Sequence, residues 1–248
     1  MKRDAKGYTN NFGFVHQYGE NVLELLEIKQ GMRILDLGCG NGELTKKISD
    51  LGAYALGVDS SEELLSVAKE KYPSIEFLHQ DATELTLDAP VDAVFSNAVF
   101  HWIPKARQAP MLERVFATIK AGGQFVFEFG GYKNNQLIHL ALEKAFNDRK
   151  LQYVMPFYFP TIAQYATLLE EAGFDVRDMK LFPRFTKLKG EDGLADWIRM
   201  FVKTPFQGIS AEMTEEIICE AVEHLKPQLH QQGKWYADYV RIRGKAIR

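Results

Sequence analysis

Five short stretches of the chain carry residue types that could do chemistry. Ile34-Leu35-Asp36-Leu37-Gly38-Cys39-Gly40-Asn41-Gly42 sets a carboxylate in an apolar run ahead of three alternate glycines. Val58-Asp59-Ser60 and Gln80-Asp81-Ala82 each end on or just after an apolar run, Ser96-Asn97 ends another, and His101-Trp102 follow shortly after. Alternate glycines open backbone angles closed to other residues and leave no side chain between the main chain and a ligand. A dinucleotide turn has the spacing Gly-x-Gly-x-x-Gly, its third glycine beside a helix N-terminus that holds a pyrophosphate. Here that third position is Glu43, whose carboxylate would repel phosphate. The turn therefore suits a nucleoside without phosphate. S-adenosylmethionine fits this description, with its adenosine, sulfonium cation and amino-acid tail. The plainer reading is a glycine turn with no ligand.

Asp59 lies 17 residues after Gly42. At a strand end its carboxylate can accept hydrogen bonds from both ribose hydroxyls. Asp81 can accept from an adenine amino group while the Ala82 N–H donates to the ring. His101 is the one candidate general base, since histidine titrates near neutral pH; a rim histidine bonded to backbone is the competing reading. Trp102 reads as packing or as a wall beside the ligand.

The elements that must position these residues alternate. Phe14 to Ile28 has helical spacing (Val15, Val22, Leu25, Leu26), Ile34 to Leu37 reads as a first strand, and Leu44, Lys47, Ile48 and Leu51 mark a helix. Strands follow at Tyr54 to Val58, Ile75 to Leu78, Ala93 to Ser96 and Gln124 to Phe129. Between them lie a helix to Pro73, begun by a Ser60–Glu63 capping box, and another over about 106–120 stopped by Gly122-Gly123. This alternation predicts an α/β fold, a doubly wound, mostly parallel sheet covered on both faces, with its ligand beyond the carboxyl ends of the strands. The aspartates and Asn97 all fall at those ends.

Beyond Gly131 the pattern changes. Ile138, Ala141, Leu142 and Ala145 make a helix, Tyr153 to Pro160 is aromatic and proline-rich, and Thr161 with Gln164 begins a capped helix ended by Gly173. Phe174 to Phe182 is strand-like, helices follow around 192–202 and 211–225, and Trp235 to Ile242 is a last strand. Residues 1–131 are thus expected to form a ligand-binding α/β core with a leading helix. Residues 132–248 should supply a helical lid inserted among the late strands that complete the same sheet. Tyr153, Phe157, Tyr158 and Phe159 either line an acceptor pocket or form the lid's own core.

In this order, Asp36-Leu-Gly-Cys-Gly-Asn-Gly42, Val58-Asp59, Gln80-Asp81-Ala82 and Ser96-Asn97 resemble a class I S-adenosylmethionine-dependent methyltransferase with a Rossmann-like fold. Phe95-Ser-Asn-Ala-Val-Phe-His-Trp102, with Phe14-Val15 and Tyr18-Gly19, further resembles the branch containing trans-aconitate and malonyl-carrier-protein methyltransferases. The resemblance implies a donor site of Asp36, Gly38, Cys39, Gly40, Gly42, Asp59, Ser60, Asp81, Ala82 and Asn97. In it the glycine turn and Asp36 hold the methionine end, Asp59 the ribose and Asp81 with Ala82 the adenine, while Asn97 lies beside the methionine portion. It also implies that Tyr8, Asn10, Phe12 and His16 belong to a segment that can close over the donor. S-adenosylhomocysteine would be the product. From the same branch, and from Tyr158, Arg184 and Lys187 in the lid region, the acceptor is expected to be a small organic acid or carboxyl-bearing acyl compound methylated on oxygen; the competing reading makes Arg184 and Lys187 a solvated edge of the Phe182 to Leu188 segment.

Composition narrows the alternatives. At 248 residues and 46% hydrophobic content the chain can build a sizeable core, and a net charge of −3 gives no basic field for nucleic acid or anionic membrane. Asn97-Ala98-Val99-Phe100 lacks the proline-rich signature of base-amino DNA methylation. Neither Cys39 nor Cys219 stands where cytosine-carbon methylation would need a nucleophile. Gly130-Gly131 replaces the acid–amide pair of magnesium-dependent catechol-type enzymes, so no metal site is expected. Two cysteines without paired spacing and no apolar run of about 18 residues suit a cytoplasmic protein. The rival reading from another class is a regulatory or interaction protein that binds the donor without transferring its methyl group. A nicotinamide oxidoreductase is opposed by Glu43.

Overall fold

Ile34, Leu35 and Leu37 have no solvent exposure, which is what a mostly apolar run achieves when both faces of a strand are covered. They form β1 (Arg33–Leu37), followed by α1 (Glu43–Asp50), β2 (Tyr54–Asp59), α2 (Glu62–Lys71), β3 (Glu76–His79) and β4 (Val91–Asn97). Next come α3 (Gln108–Thr118), β5 (Ile119–Gly130), α4 (Gln136–Asp148), α5 (Ile162–Glu171) and β6 (Asp175–Lys187). The chain ends with α6 (Gly193–Phe201), α7 (Ala211–Leu229), β7 (His230–Gln231) and β8 (Lys234–Ile247). The structure, a computed structural model, describes residues 21–248. Of the expected leading helix, residues 21–23 are helical and the chain turns at 24–25; the rest of that helix, with Tyr8, Asn10, Phe12 and His16, lies outside the described residues.

The strands run in the order β3-β2-β1-β4-β5-β8-β6, with β7 paired to β8. Pairings among β1 to β5 are parallel, and β8 runs antiparallel between β5 and β6. The order reverses between β1 and β4, the place where such sheets open a crevice for ligand. Alternation along β5 shows how the sheet separates its two cores. Phe125, Phe127 and Phe129 pack with Phe100, Leu112 and Tyr165 on one side; Val126 packs with Val22, Ile34 and Phe95 on the other.

A further apolar cluster lies outside the sheet's layers. Leu142 and Phe146 of α4, Leu194 and Ile198 of α6, and Ile218 and Leu225 of α7 are buried against one another and against Trp235 and Ala237 of β8. Two insertions, one after β5 and one between β6 and β8, thus bury a common face.

Local signals fix several boundaries. Thr161 and Gln164 form the expected capping box at the start of α5. The expected Ser60–Glu63 box is not formed: Ser61 is the N-cap of α2, its hydroxyl accepting from the Leu64 N–H. The reason is Asp59, whose Oδ1 accepts from the Ser61 N–H at 2.8 Å, so the chain stays extended one residue longer before the helix begins. β6 and β8 each run five residues past their expected ends: β6 continues to Lys187 along β8 into the lid, and β8 continues to Ile247 between β5 and β6 in the sheet.

Candidate active site

Where the strands end, their carbonyls and the following turns surround a cavity of about 340 Å³. Its strand-end half is lined by Asp36, Gly38, Cys39, Gly40, Asp59, Ser60, Asp81, Ala82 and Asn97; His101 and Trp102 stand at the join, and Phe157, Phe159, Arg184, Trp197, Tyr239 and Arg241 line the lid half. Of the sequence-based set, Gly42 stands apart. It is the α1 N-cap at φ +80, and a Cβ there would meet the Phe77 ring at 2.8 Å, so this glycine serves close packing of α1 rather than the cavity wall.

The glycine turn is held from beneath by main chain. The N–H groups of Gly38 and Cys39 both donate to the Val58 carbonyl, at 2.7 and 3.0 Å, and the Gly40 N–H donates to Asp59 Oδ2 at 2.8 Å. Gly38 has φ +78, and a Cβ on it would lie 2.1 Å from Val99, so only glycine fits there. Asp59 therefore has two structural duties, one on the turn and one on Ser61, while remaining on the cavity wall. Each carboxylate oxygen still has capacity for a second donor.

Asp36 is 2% exposed and accepts from the Thr45 hydroxyl at 2.6 Å. Burial pushes its pKa up to about 7, against the Thr45 hydrogen bond and with help from the Asp59 charge. Burial likewise pushes the Cys39 thiol far up, so Cys39 packs as a neutral group against Leu65 and Phe77. Asp81 Oδ1 accepts from both the Thr83 N–H, at 2.8 Å, and its hydroxyl, at 2.6 Å, and so caps the short turn 82–84. Burial alone would raise its pKa; the Thr83 bonds and nearby Arg107 hold it below the usual range.

His101 is placed against the general-base role. The Gly130 N–H donates to its Nδ1 at 3.4 Å, so in the neutral ring Nε2 carries the proton and can donate but not abstract. Its ring sits among Trp102, Phe157 and Phe159, with centroids at 5.3 to 6.1 Å, and Trp102 meets Phe157 edge-on at 4.9 Å. These contacts close the core against the lid. Ala98, next to Asn97, holds φ +62, with its N–H donating to the Glu128 carbonyl at 2.7 Å. That is a backbone conformation a non-glycine residue adopts at a cost of about 1 kcal/mol or more, kept where the surroundings fix it.

The aromatic segment divides. Phe157 and Phe159 reach the cavity. The Tyr153 hydroxyl instead pairs with His139 Nδ1 at 2.6 Å inside the lid, and Tyr158 packs on the main core. Of the expected basic residues, Arg184 lines the cavity; Lys187 lies on the exposed edge of β6, where Lys234 lowers its pKa.

Three charged residues at the cavity and beneath it, Glu128, Arg241 and Arg243, escaped the sequence reading. Glu128 is 1% exposed on β5, and its carboxylate accepts from Arg184 Nη1 and Nη2 at 2.6 and 2.9 Å, Arg243 Nε at 2.8 Å and Arg241 Nε at 3.4 Å. Burial would raise its pKa, but the three guanidinium groups, Arg241 first, hold it below the ordinary range. The signal was present: a lone glutamate within Phe125-Val-Phe-Glu-Phe129 requires cationic partners, and Arg241-x-Arg243 supplies two on one face of a strand. Among the described residues, no group of three His, Cys, Asp or Glu side chains is placed to hold a metal ion, and no helix is long and apolar enough to cross a membrane.

The donor set at the strand ends tests the fit of S-adenosylmethionine. Three carboxylates and main-chain groups on the wall suit a cation joined to an uncharged nucleoside better than a phosphate; Glu43 lies off the cavity, where Lys71 and Tyr72 bond its carboxylate, so it does not supply the repulsion expected from the sequence. Comparison with known proteins agrees. Residues 34–123 match a family model described as a methyltransferase domain. The chain is 28% identical over 255 residues to an uncharacterized methyltransferase of Schizosaccharomyces pombe, covering 96% of this chain and 95% of that protein. It is 26% identical over 166 residues to the malonyl-[acyl-carrier protein] O-methyltransferase of Bacillus anthracis, covering 64% and 61% of the two chains. A solved structure from Bacillus halodurans, assigned as a methyltransferase by its describers without a stated acceptor, superimposes with a TM-score of 0.65 at 17% identity, covering 93% of this chain and 98% of that one. With the glycine turn and the strand-end carboxylates set on the β3-β2-β1-β4-β5 order of one sheet, residues 34–123 match a methyltransferase domain, and the donor this site takes is S-adenosylmethionine.

Proposed function

We propose that the strand-end half holds the methyl donor and that the lid half binds a small organic acid, which is methylated on a carboxylate oxygen. In this reading Asp59 accepts from the ribose hydroxyls, Asp81 and the Ala82 N–H meet the adenine edge, and the turn at Gly38 and Gly40, with Asp36 and Asn97, takes the methionine end. The donor supplies a methyl carbon already activated by its sulfonium. The protein's part is chiefly alignment and the exclusion of water.

One observation carries the acid reading: the cavity runs without a break from the glycine turn to the guanidinium groups of Arg184 and Arg241. Arginine is suited to this use by its fixed charge and planar fork of donors. The geometry of His101 is consistent with it. A carboxylate is ionised and nucleophilic at neutral pH, so its methylation requires no residue to remove a proton. The Bacillus anthracis relative's name, an O-methyltransferase of a malonyl group, points to the same acceptor chemistry.

The test is a methyl-transfer assay over di- and tricarboxylic acids and acyl carriers, with amines and phenols as controls. Transfer to at least one acid is expected. Transfer to an amine or phenol and to no acid would remove the acid proposal and leave the donor site standing.

A further inference from the structure

The three arginines that meet at Glu128 are not equivalent. Arg184 places both terminal amino groups on the carboxylate, at 2.6 and 2.9 Å, and Arg243 meets it through Nε and Nη2, at 2.8 and 2.7 Å. Their forks are spent on the protein. Arg241 touches Glu128 only through Nε, at 3.4 Å, and its two terminal amino groups have no hydrogen-bond partner among the described residues. It is nonetheless 8% exposed and lies on the cavity wall.

Its setting is rigid. The guanidinium carbon lies 5.7 Å from the centroid of the Tyr239 ring, two residues earlier on the same strand face, and the Tyr239 hydroxyl accepts from Trp197 Nε1 of α6 at 2.6 Å. Glu128 fixes one edge, the tyrosine ring backs it, and a lid helix pins the tyrosine. The terminal amino groups of Arg241 are not sealed inside the protein but open onto the cavity, where an anion can complete them. Even with Arg184 set aside, Arg241 and Arg243 share the single negative charge of Glu128. A planar, singly charged group with two oxygens matches both the charge and the open edge of the fork.

We propose that Arg241 is the residue that grips the acceptor's carboxylate, receiving it on its two terminal amino groups, and so sets the enzyme's preference for acids. This rests on the acid-acceptor reading above. Such a fork is already oriented before ligand arrives, and that lowers the ordering cost of binding.

The experiment uses the full chain loaded with S-adenosylhomocysteine and titrated calorimetrically with malonate, succinate and citrate, and with their methyl esters as uncharged controls. The wild type should bind at least one acid and none of the esters. Arg241→Met should weaken that acid about tenfold or more, as loss of one partner of a buried charge pair does, while S-adenosylhomocysteine affinity stays within about threefold. Arg241→Lys should fall between, since it keeps the charge without the planar fork. Glu128 retains Arg184 and Arg243 in both variants; should Arg241→Met lose its cooperative melt, Arg241→Lys decides alone, by a smaller loss of acid affinity with S-adenosylhomocysteine affinity kept. Equal acid binding by wild type and variant would overturn the assignment while sparing the acid reading. A more than tenfold loss of S-adenosylhomocysteine affinity in Arg241→Met would also overturn it, because the guanidinium would then serve the donor's own carboxylate. No acid bound by the wild type would sink the acid reading itself, and this inference with it.

Discussion

The strand-end half of the cavity and the lid half are made of different material. The first is mostly main chain: N–H groups of Gly38, Cys39 and Gly40 tied to Val58 and Asp59, and short turns that begin where parallel strands stop. The second is side chains gathered from distant stretches, Glu128 from β5, Phe157 from the loop after α4, Arg184 from β6, Trp197 from α6 and Arg241 from β8. Main-chain sites tolerate little, because each atom also carries the fold. Side-chain sites change specificity by single substitutions and leave the scaffold alone.

The largest effect should come from violating the main-chain half. Gly38→Val forces a side chain into a site with φ +78 whose Cβ position is 2.1 Å from Val99, and should cost at least about 2 kcal/mol in chemical denaturation. A variant as stable as the wild type would break the contrast at its strongest point. Asp59→Ala comes next. It removes two main-chain bonds as well as the proposed ribose acceptor, and should weaken S-adenosylhomocysteine by roughly 1.5–3 kcal/mol while leaving acid binding alone. Calorimetry on the folded variant measures it, and unchanged affinity would remove Asp59 from the donor site.

Asp36 sharpens the comparison through pH. Its folded pKa, pushed up to about 7, lies above the unfolded value of 3.8, so between those values the folded state holds the extra proton. The aspartate's contribution to stability is therefore present at low pH and declines as pH rises from about 4 to about 7. Asp36→Asn abolishes that decline and keeps an acceptor for the Thr45 hydroxyl. The variant should gain relative to wild type between pH 5 and pH 8 in melts of the ligand-free protein, and parallel curves would contradict the burial argument. The smallest effect belongs to the lid half: Trp197→Phe removes the bond to Tyr239 and should weaken acid binding by about 1 kcal/mol, with donor affinity untouched.

The same difference in material explains what could be read from the residues alone. A turn and the strand ends beside it are local in sequence, so Asp36-to-Gly42, Asp59, Asp81 and Asn97 announce themselves by order and spacing, and the sheet follows from their alternation. Gly42 shows the limit, because its packing partner Phe77 is 35 residues away and spacing cannot separate a glycine that faces ligand from one that faces a ring. The one-residue error at Ser60 has a similar source, since Asp59 reaches forward to Ser61 and back to Gly40 at once. In the lid half, Arg184 and Lys187 look alike in sequence. Only the β6–β8 pairing shows that one faces the cavity and the other the solvent edge. Arg241 and Arg243 gained meaning only beside Glu128, more than a hundred residues earlier.

The β6–β8 pairing also has a mechanical meaning. The last pair of β5 with β8 is Gly130 with Arg241, yet β6 and β8 continue together through five more pairs, from Pro183 with Val240 to Lys187 with Tyr236. This is a two-stranded cantilever about 16 Å long, rooted in the sheet and carrying the lid helices at its free end. Swinging the lid about its root would bend that beam and strain a ladder of main-chain bonds. Arg184 and Tyr239 face each other in the second of those five pairs, so the ladder holds both in fixed relation to the strand ends.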